Sequence, residues 1–190
     1  MRTVIPKNAN FVPADAKRVF TGIIYDVYQW QQELFDGSQA TFEMLKRPDT
    51  IEVLAIKDDK IVAIIDEQPT RKPELTLPGG RHDVPTETEL ECAKRELHEE
   101  TGMRFKTWRL ISADQLYHKI EQVLYIFLAT DFEGQDKPHV DGGGERITLK
   151  MMEFSEAKRI AEEGKDRFWP NDLLRRAESI DELLDLPEYK

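Results

Sequence analysis

The sequence predicts a layered α/β domain with a β-rich extension at its N-terminus. Three observations lead there. Strand-like segments lie on both sides of one central helical pattern, further helical patterns close the chain, and residues 1–48 read mainly as strand and turn. In the extension, Val19 to Trp30 is rich in β-branched and aromatic residues and reads as one strand. Ala40 to Lys46 reads as a second, with Asp36-Gly37 as the turn signal between them. Pro48 and Asp49 interrupt the pattern, so the main domain is expected over residues 49–190.

Within that domain, Thr50 to Ile56 and Ile61 to Asp66 read as a hairpin around Asp58 and Asp59. Leu75 to Leu77 reads as a short strand ending at Pro78-Gly79-Gly80. A helix is expected from about Glu87 to Thr101, with Gly102 as its stop. Trp108 to Ser112, Val123 to Thr130 and Ile147 to Phe154 read as further strands, and Ser155 to Glu163 as a helix. Asn171 to Asp185 is helical in part, with Ser179 and Glu182 at capping-box spacing.

Composition narrows the function. The 190 residues are 39% hydrophobic, enough for one domain with a packed core. The formal net charge of −10 argues against a nucleic-acid polymer as the main partner, because backbone phosphates call for a basic footprint. A small phosphorylated ligand stays compatible if a few Arg and Lys, or divalent cations, neutralise it locally. Cys92 is the only cysteine, so no disulfide can form within the chain and a reducing cytoplasm fits. Met1 to Lys17 holds no apolar run long enough for a signal peptide or a membrane span, and no membrane partner is expected.

The chemistry is concentrated between Leu77 and Gly102. On a helical wheel, Leu90, Ala93 and Leu97 share one side and can pack on a sheet, whereas Glu91, Lys94 and His98 face water. Glu96, Glu99 and Glu100 fall in one sector about 100° wide. Like charges at this spacing destabilise a helix by roughly 0.2–0.5 kcal/mol per pair. They also sit toward the helix C-terminus, where the macrodipole disfavours anions. By default an acidic helix is a solvated face. Here a strand ending in Pro-Gly-Gly would bring bare backbone to the helix that carries the carboxylates, and a Mg²⁺ or Mn²⁺ ion would relieve their repulsion.

Gly80, Glu87, Arg95-Glu96-Leu97, Glu99-Glu100 and Gly102-Met103 resemble the Nudix box: Gly, five residues, Glu, seven residues, Arg-Glu-apolar-any-Glu-Glu-any-Gly-apolar. One departure is present: Arg81 to Thr86 puts six residues, not five, between Gly80 and Glu87. The spacing from Glu87 to Gly102 is intact, so the change touches the path of the loop and not the helix. The resemblance implies a Nudix-type α/β/α sandwich with a mixed sheet, and a metal-dependent hydrolase that splits a phosphoanhydride.

Carried over residue by residue, the resemblance makes Glu96 and Glu100 the main Mg²⁺ or Mn²⁺ ligands. Glu99 is a third, directly or through water, and the carbonyl of Gly79 adds a backbone oxygen. Gly80, Glu87, Arg95 and Gly102 brace the loop and helix. Two glutamates compete as general base, Glu99 inside the box and Glu145 on the loop after Asp141-Gly142-Gly143-Gly144; Glu145 is favoured, because a glycine-rich loop can close on bound substrate. The N-terminal region is similar to that of nucleoside diphosphate sugar pyrophosphatases, where it serves dimerisation and base recognition. A homodimer and a small nucleotide-sugar substrate such as ADP-ribose are therefore expected. Tyr28 and Trp30, with Tyr25, are candidates to stack on a base, and Arg71, with Lys72, to touch phosphate; strand packing and solvated turn charge are the plain alternatives. A proline that often marks ADP-ribose enzymes after the box is missing near Tyr117-His118-Lys119, which leaves other sugars such as GDP-mannose open. The alternatives are hydrolysis of nucleoside triphosphates or dinucleoside polyphosphates, and a Nudix-fold binding module without turnover.

Overall fold

The computed structural model describes residues 2–139, 144–164 and 170–190. The chain first forms β1 (Lys17–Thr21), β2 (Asp26–Glu33), β3 (Gln39–Lys46), β4 (Asp49–Lys57), β5 (Lys60–Gln68), β6 (Arg71–Thr76) and β7 (Gly79–His82). Helix α1 (Glu89–Thr101) follows, then β8 (Met103–Asp114), β9 (Ile120–Glu121), β10 (Leu124–Gln135) and β11 (Arg146–Glu153). Helices α2 (Phe154–Glu163), α3 (Asn171–Arg176) and α4 (Ile180–Leu184) close it.

Two mixed sheets result. The larger has the order β11-β5-β4-β10-β8, with β6 on β5 and β7 on β4; β4 and β10 run parallel and the other pairs antiparallel. Its central strand β4 is apolar on both faces. Ile51, Val53 and Ala55 pack with Cys92, Ala93 and Leu97 of α1, whereas Leu54 and Ile56 pack with Ala157, Ala161, Leu174 and Leu183 of α2 to α4. The sheet is thus held between α1 and the C-terminal helices, which is the expected α/β/α sandwich. The smaller sheet, β1-β2-β3-β9, carries the N-terminal strands and takes its last member from the main domain.

Several elements differ from the sequence reading. Val19 to Trp30 is not one strand but the β1–β2 hairpin, closed by the Gly22 amide donating to the Tyr25 carbonyl at 2.9 Å. β-propensity runs unbroken through this corner, and only the close approach at Gly22 marks it. Strand β6 begins at Arg71, earlier than expected; Pro73 is tolerated because β6 pairs on one side only, with β5. Gly79 and Gly80 do not end a strand but start β7, and β9 had no sequence signal. Helix α1 starts at Glu89 because Thr88 and Glu91 form a capping box, and ends on Gly102 at φ 72°. Ser179 accepts from the Glu182 amide at 3.3 Å, but the Glu182 carboxylate accepts from the Glu178 amide, so that box is half formed.

The first residues cross the α1 face and lock onto it. The Thr3 amide and hydroxyl donate to Glu89 at 2.7 and 2.6 Å, and the Tyr125 hydroxyl donates to the Val4 carbonyl at 2.7 Å. Arg2 makes a two-pronged pair with Asp49 at 2.7 and 2.8 Å and reaches Glu121 at 2.9 Å. Asp49 and Glu121 are buried. Burial works to raise the Glu121 carboxyl, but hydrogen bonds from Lys46, Arg2 and the Val12 amide outweigh it and hold the group below its usual range. Arg2→Ala leaves both carboxylates under-neutralised and is expected to cost about 3 kcal/mol, roughly 6–12 °C in Tm. A carboxyl with a depressed folded pKa adds stability above its unfolded value and loses it as pH falls through the folded one. The gap between variant and parent should therefore be full above about pH 5 and narrow in acid. Thermal melts of both proteins across that range check this; equal midpoints at neutral pH would refute it.

Candidate active site on the α1 face

Strand β7 places the Pro-Gly-Gly turn against β4, with Gly79 opposite Glu52 and Gly80 opposite Ile51. Helix α1 lies on this face so closely that a Cβ on Gly80 would sit 2.5 Å from the Glu96 carboxyl carbon, and one on Gly79 would strike the Ile51 carbonyl. The two glycines are needed because the carboxylates rest on strand backbone. The Gly79 amide donates to Glu100 Oε2 at 2.8 Å. Burial pushes the Glu100 carboxyl up to about 9, against that hydrogen bond and with help from the charges of Glu96, Glu145 and Asp66. Burial also raises Glu96, with Arg95 opposing it.

One guanidinium ties the rest of the box together. Arg95 Nε and Nη2 bind Glu87 at 2.8 and 3.0 Å, and Nη1 reaches Glu96 at 2.8 Å and Glu99 at 3.1 Å. This fork holds the loop before the helix to the helix itself, and it keeps the Glu87 carboxyl below its usual range through the Arg95 hydrogen bonds. Of the six residues between Gly80 and Glu87, Arg81 and His82 pair with Thr50 and Asp49 in β7, and Asp83 to Thr86 lead on to the loop before the Thr88 cap.

A second cluster meets the site from the sheet. Strand β5 turns Val62 toward the α1 core, and alternation carries that face on to Asp66. Asp66 is 7% exposed. Its Oδ2 accepts from Arg71 in a close contact and from Gln68 at 3.3 Å, while Arg71 also binds Glu74 at 2.7 Å. The Gln68 amide donates to Glu145 as well. The β11–β5 register explains this meeting, since Arg146 faces Glu67. Burial raises the Asp66 carboxyl, Arg71 opposes, and Glu145 adds to the rise.

Gly79, Gly80, Glu87, Arg95, Glu96, Glu99, Glu100, Arg71 and Glu145 are therefore joined by contacts or by charge on one face. Tyr28 and Trp30 are placed apart, on β2 of the smaller sheet, where Lys46 lies over the Tyr28 ring and Trp30 tilts on Phe42 at 6.1 Å. Asp141 to Gly143, most of the glycine-rich loop, lie outside the described residues. Sequence reasoning missed Asp66 and Gln68; the one signal was a charge at the inward parity of an apolar strand.

The donors fit a hard divalent cation. They are carboxylate oxygens, and the Asp66 Oδ1 atom is buried with no hydrogen-bond partner. Among the described residues, no three His, Cys, Asp or Glu side chains converge closely enough to cage an ion, and Arg95 occupies Glu96 and Glu99.

An α/β/α sandwich with glutamates of one helix laid on a Gly-Gly strand defines the class, and the NUDIX domain profile matches residues 46–175: the chain belongs to the NUDIX family. Two relatives are pyrophosphatases by name. The chain is 24% identical over 149 residues to the ADP-ribose pyrophosphatase of Bacillus subtilis (strain 168), covering 77% of this chain and 80% of that one. It is 25% identical over 153 residues to the ADP-ribose pyrophosphatase of Mycobacterium tuberculosis (strain ATCC 25618 / H37Rv), covering 79% and 74%. In fold it resembles a crystal structure of an ADP compounds hydrolase, with TM-score 0.62, 20% identity, and coverage of 78% of this chain and 81% of that one. Among the described residues no helix is long and apolar enough to cross a membrane.

Proposed function

We propose that the chain hydrolyses the pyrophosphate of a nucleoside diphosphate sugar of the ADP-ribose kind, giving a nucleoside monophosphate and a sugar phosphate. The observation that carries this is the pair Glu96 and Glu100 set on Gly79-Gly80. The names of the two pyrophosphatase relatives support the substrate class. Glu96 and Glu100, with Glu99 and the Gly79 carbonyl, would hold Mg²⁺ or Mn²⁺. The ion, when bound, neutralises phosphate oxygens and acidifies water. Arg71 orients a phosphate oxygen, and Glu145 accepts the proton of the water that attacks phosphorus. The new P–O bond forms as the bridging P–O bond breaks, and the bridging oxygen leaves with the other phosphate.

The extension, residues 1–48, serves dimerisation and base recognition in this reading, with Tyr28 or Trp30 stacking on the base. Its sheet leaves Phe20 59%, Ile23 100% and Phe35 116% exposed, apolar surface that a second copy would cover. The single cysteine, Cys92, supports a reducing, cytoplasmic setting in this reading. The test is a panel of ADP-ribose, other nucleotide sugars, triphosphates and dinucleoside polyphosphates with Mg²⁺ or Mn²⁺, resolved by chromatography. Nucleotide sugars should be cleaved fastest; faster turnover of triphosphates, or none of any substrate, sinks the assignment. Light scattering on the same preparation should give a dimer, and a monomer would remove that part.

A further inference from the structure

We propose that Asp66 is an additional carboxylate of the cation site, acting through a water of the hydrated ion and not as a direct ligand. This rests on the function proposed above and concerns a residue outside the Nudix box. Asp66 is buried, yet only its Oδ2 is used, by Arg71 and Gln68; Oδ1 is enclosed and accepts no hydrogen bond. An anionic acceptor left without a donor is costly, so the working state must supply one. The hydrogen bonds of the neighbouring donors go to other acceptors: Arg71 Nη2 and the Gln68 amide to Asp66 Oδ2, Arg71 Nη1 to Glu74, and the Gln68 amide also to Glu145. The neighbours whose charges act across this space, Glu145 and Glu100, are themselves carboxylates. A hydrated divalent cation answers both needs, since it brings positive charge and water protons together. Mg²⁺ gives up its waters reluctantly and is often held through them. Direct ligation is disfavoured by placement: Asp66 is on a strand paired on both sides, and Arg71 fixes its other oxygen.

Mn²⁺ binding to the substrate-free protein, read from the magnetic-resonance signal of the free ion, tests this. Asp66→Asn should weaken Mn²⁺ about ten-fold, as loss of an outer acceptor does, and Asp66→Ala at least as much. Glu96→Gln, a direct ligand, should weaken it more. Glu74→Gln removes a charge on the far side of Arg71 and should change it less than about two-fold. Thermal midpoints near the parent's show that the variants fold. If both Asp66 variants bind Mn²⁺ like the parent while Glu96→Gln is weakened, the inference is overturned and the proposed function stands. Equal weakening by Asp66→Asn and Glu74→Gln also overturns it, because net charge alone then accounts for the effect. If Glu96→Gln binds Mn²⁺ as the parent does, the cation site itself fails, and Asp66 with it.

Discussion

Glu100→Gln is expected to lower turnover about 100- to 1000-fold at saturating Mg²⁺, some 3–4 kcal/mol in the barrier, with the fold unchanged. The substitution is nearly isosteric. The Gln carbonyl can still accept from the Gly79 amide, the bond at 2.8 Å that pins the end of α1 to β7. What is lost is a charge on an oxygen that would face a cation. That charge matters because the site is strongly anionic. Asp66, Glu74, Glu87, Glu96, Glu99, Glu100 and Glu145 crowd around the two guanidiniums of Arg71 and Arg95. A pyrophosphate cannot approach such a surface unless divalent cations reverse its sign. Burial already disfavours the charged form of Glu100 in the ion-free protein, so a neutral amide in its place should leave the melting temperature level or raised while catalysis collapses. Steady-state rates with excess Mg²⁺, alongside thermal melts, measure both; parent-like turnover in Glu100→Gln would remove Glu100 from the site.

The sequence made α1 readable because its evidence is local. Leu90, Ala93 and Leu97 recur at helical spacing, Gly102 supplies the left-handed stop, and the glutamates share a sector within a single turn. The pairing of Gly79-Gly80 with the helix was readable as a close approach. Its identity as strand β7 was not, since two glycines have no side chains to alternate. The α1 face of β5 illustrates the deeper limit. A charge at the end of an apolar strand reads as the exit to solvent. Asp66 is buried only because β6 and β11 flank β5 on either side, and neither pairing is encoded near it. The N-terminal lock is hidden for the same reason: Arg2 finds its partners 47 and 119 residues away. Tyr28 and Trp30 show the converse. Their aromatic chemistry was readable, but the separate sheet that holds them was a matter of tertiary pairing.

The general base separates Glu145 from Glu99. Glu145→Gln should cut turnover at least about 100-fold, the scale of a lost proton acceptor, with Mn²⁺ affinity within about threefold of the parent's because the residue is exposed. Glu99→Gln should weaken Mn²⁺ binding together with turnover. The geometry supports that division. Glu99 is held on α1 by Arg95 at 3.1 Å, in a guanidinium shared with Glu87 and Glu96, so it would have to give up an ion pair to reach a water molecule. Glu145 has an amide partner, Gln68, and its charge acts on Glu100. A carboxylate held by a neutral amide can leave that partner for a water molecule at little cost. Gln68→Ala should therefore spare much of the activity that Glu145→Gln destroys. Turnover and Mn²⁺ affinity measured on all three variants decide the matter. Near-normal turnover in Glu145→Gln would pass the role to Glu99, and a joint loss of turnover and Mn²⁺ affinity in that variant would make Glu145 a cation ligand and not the base.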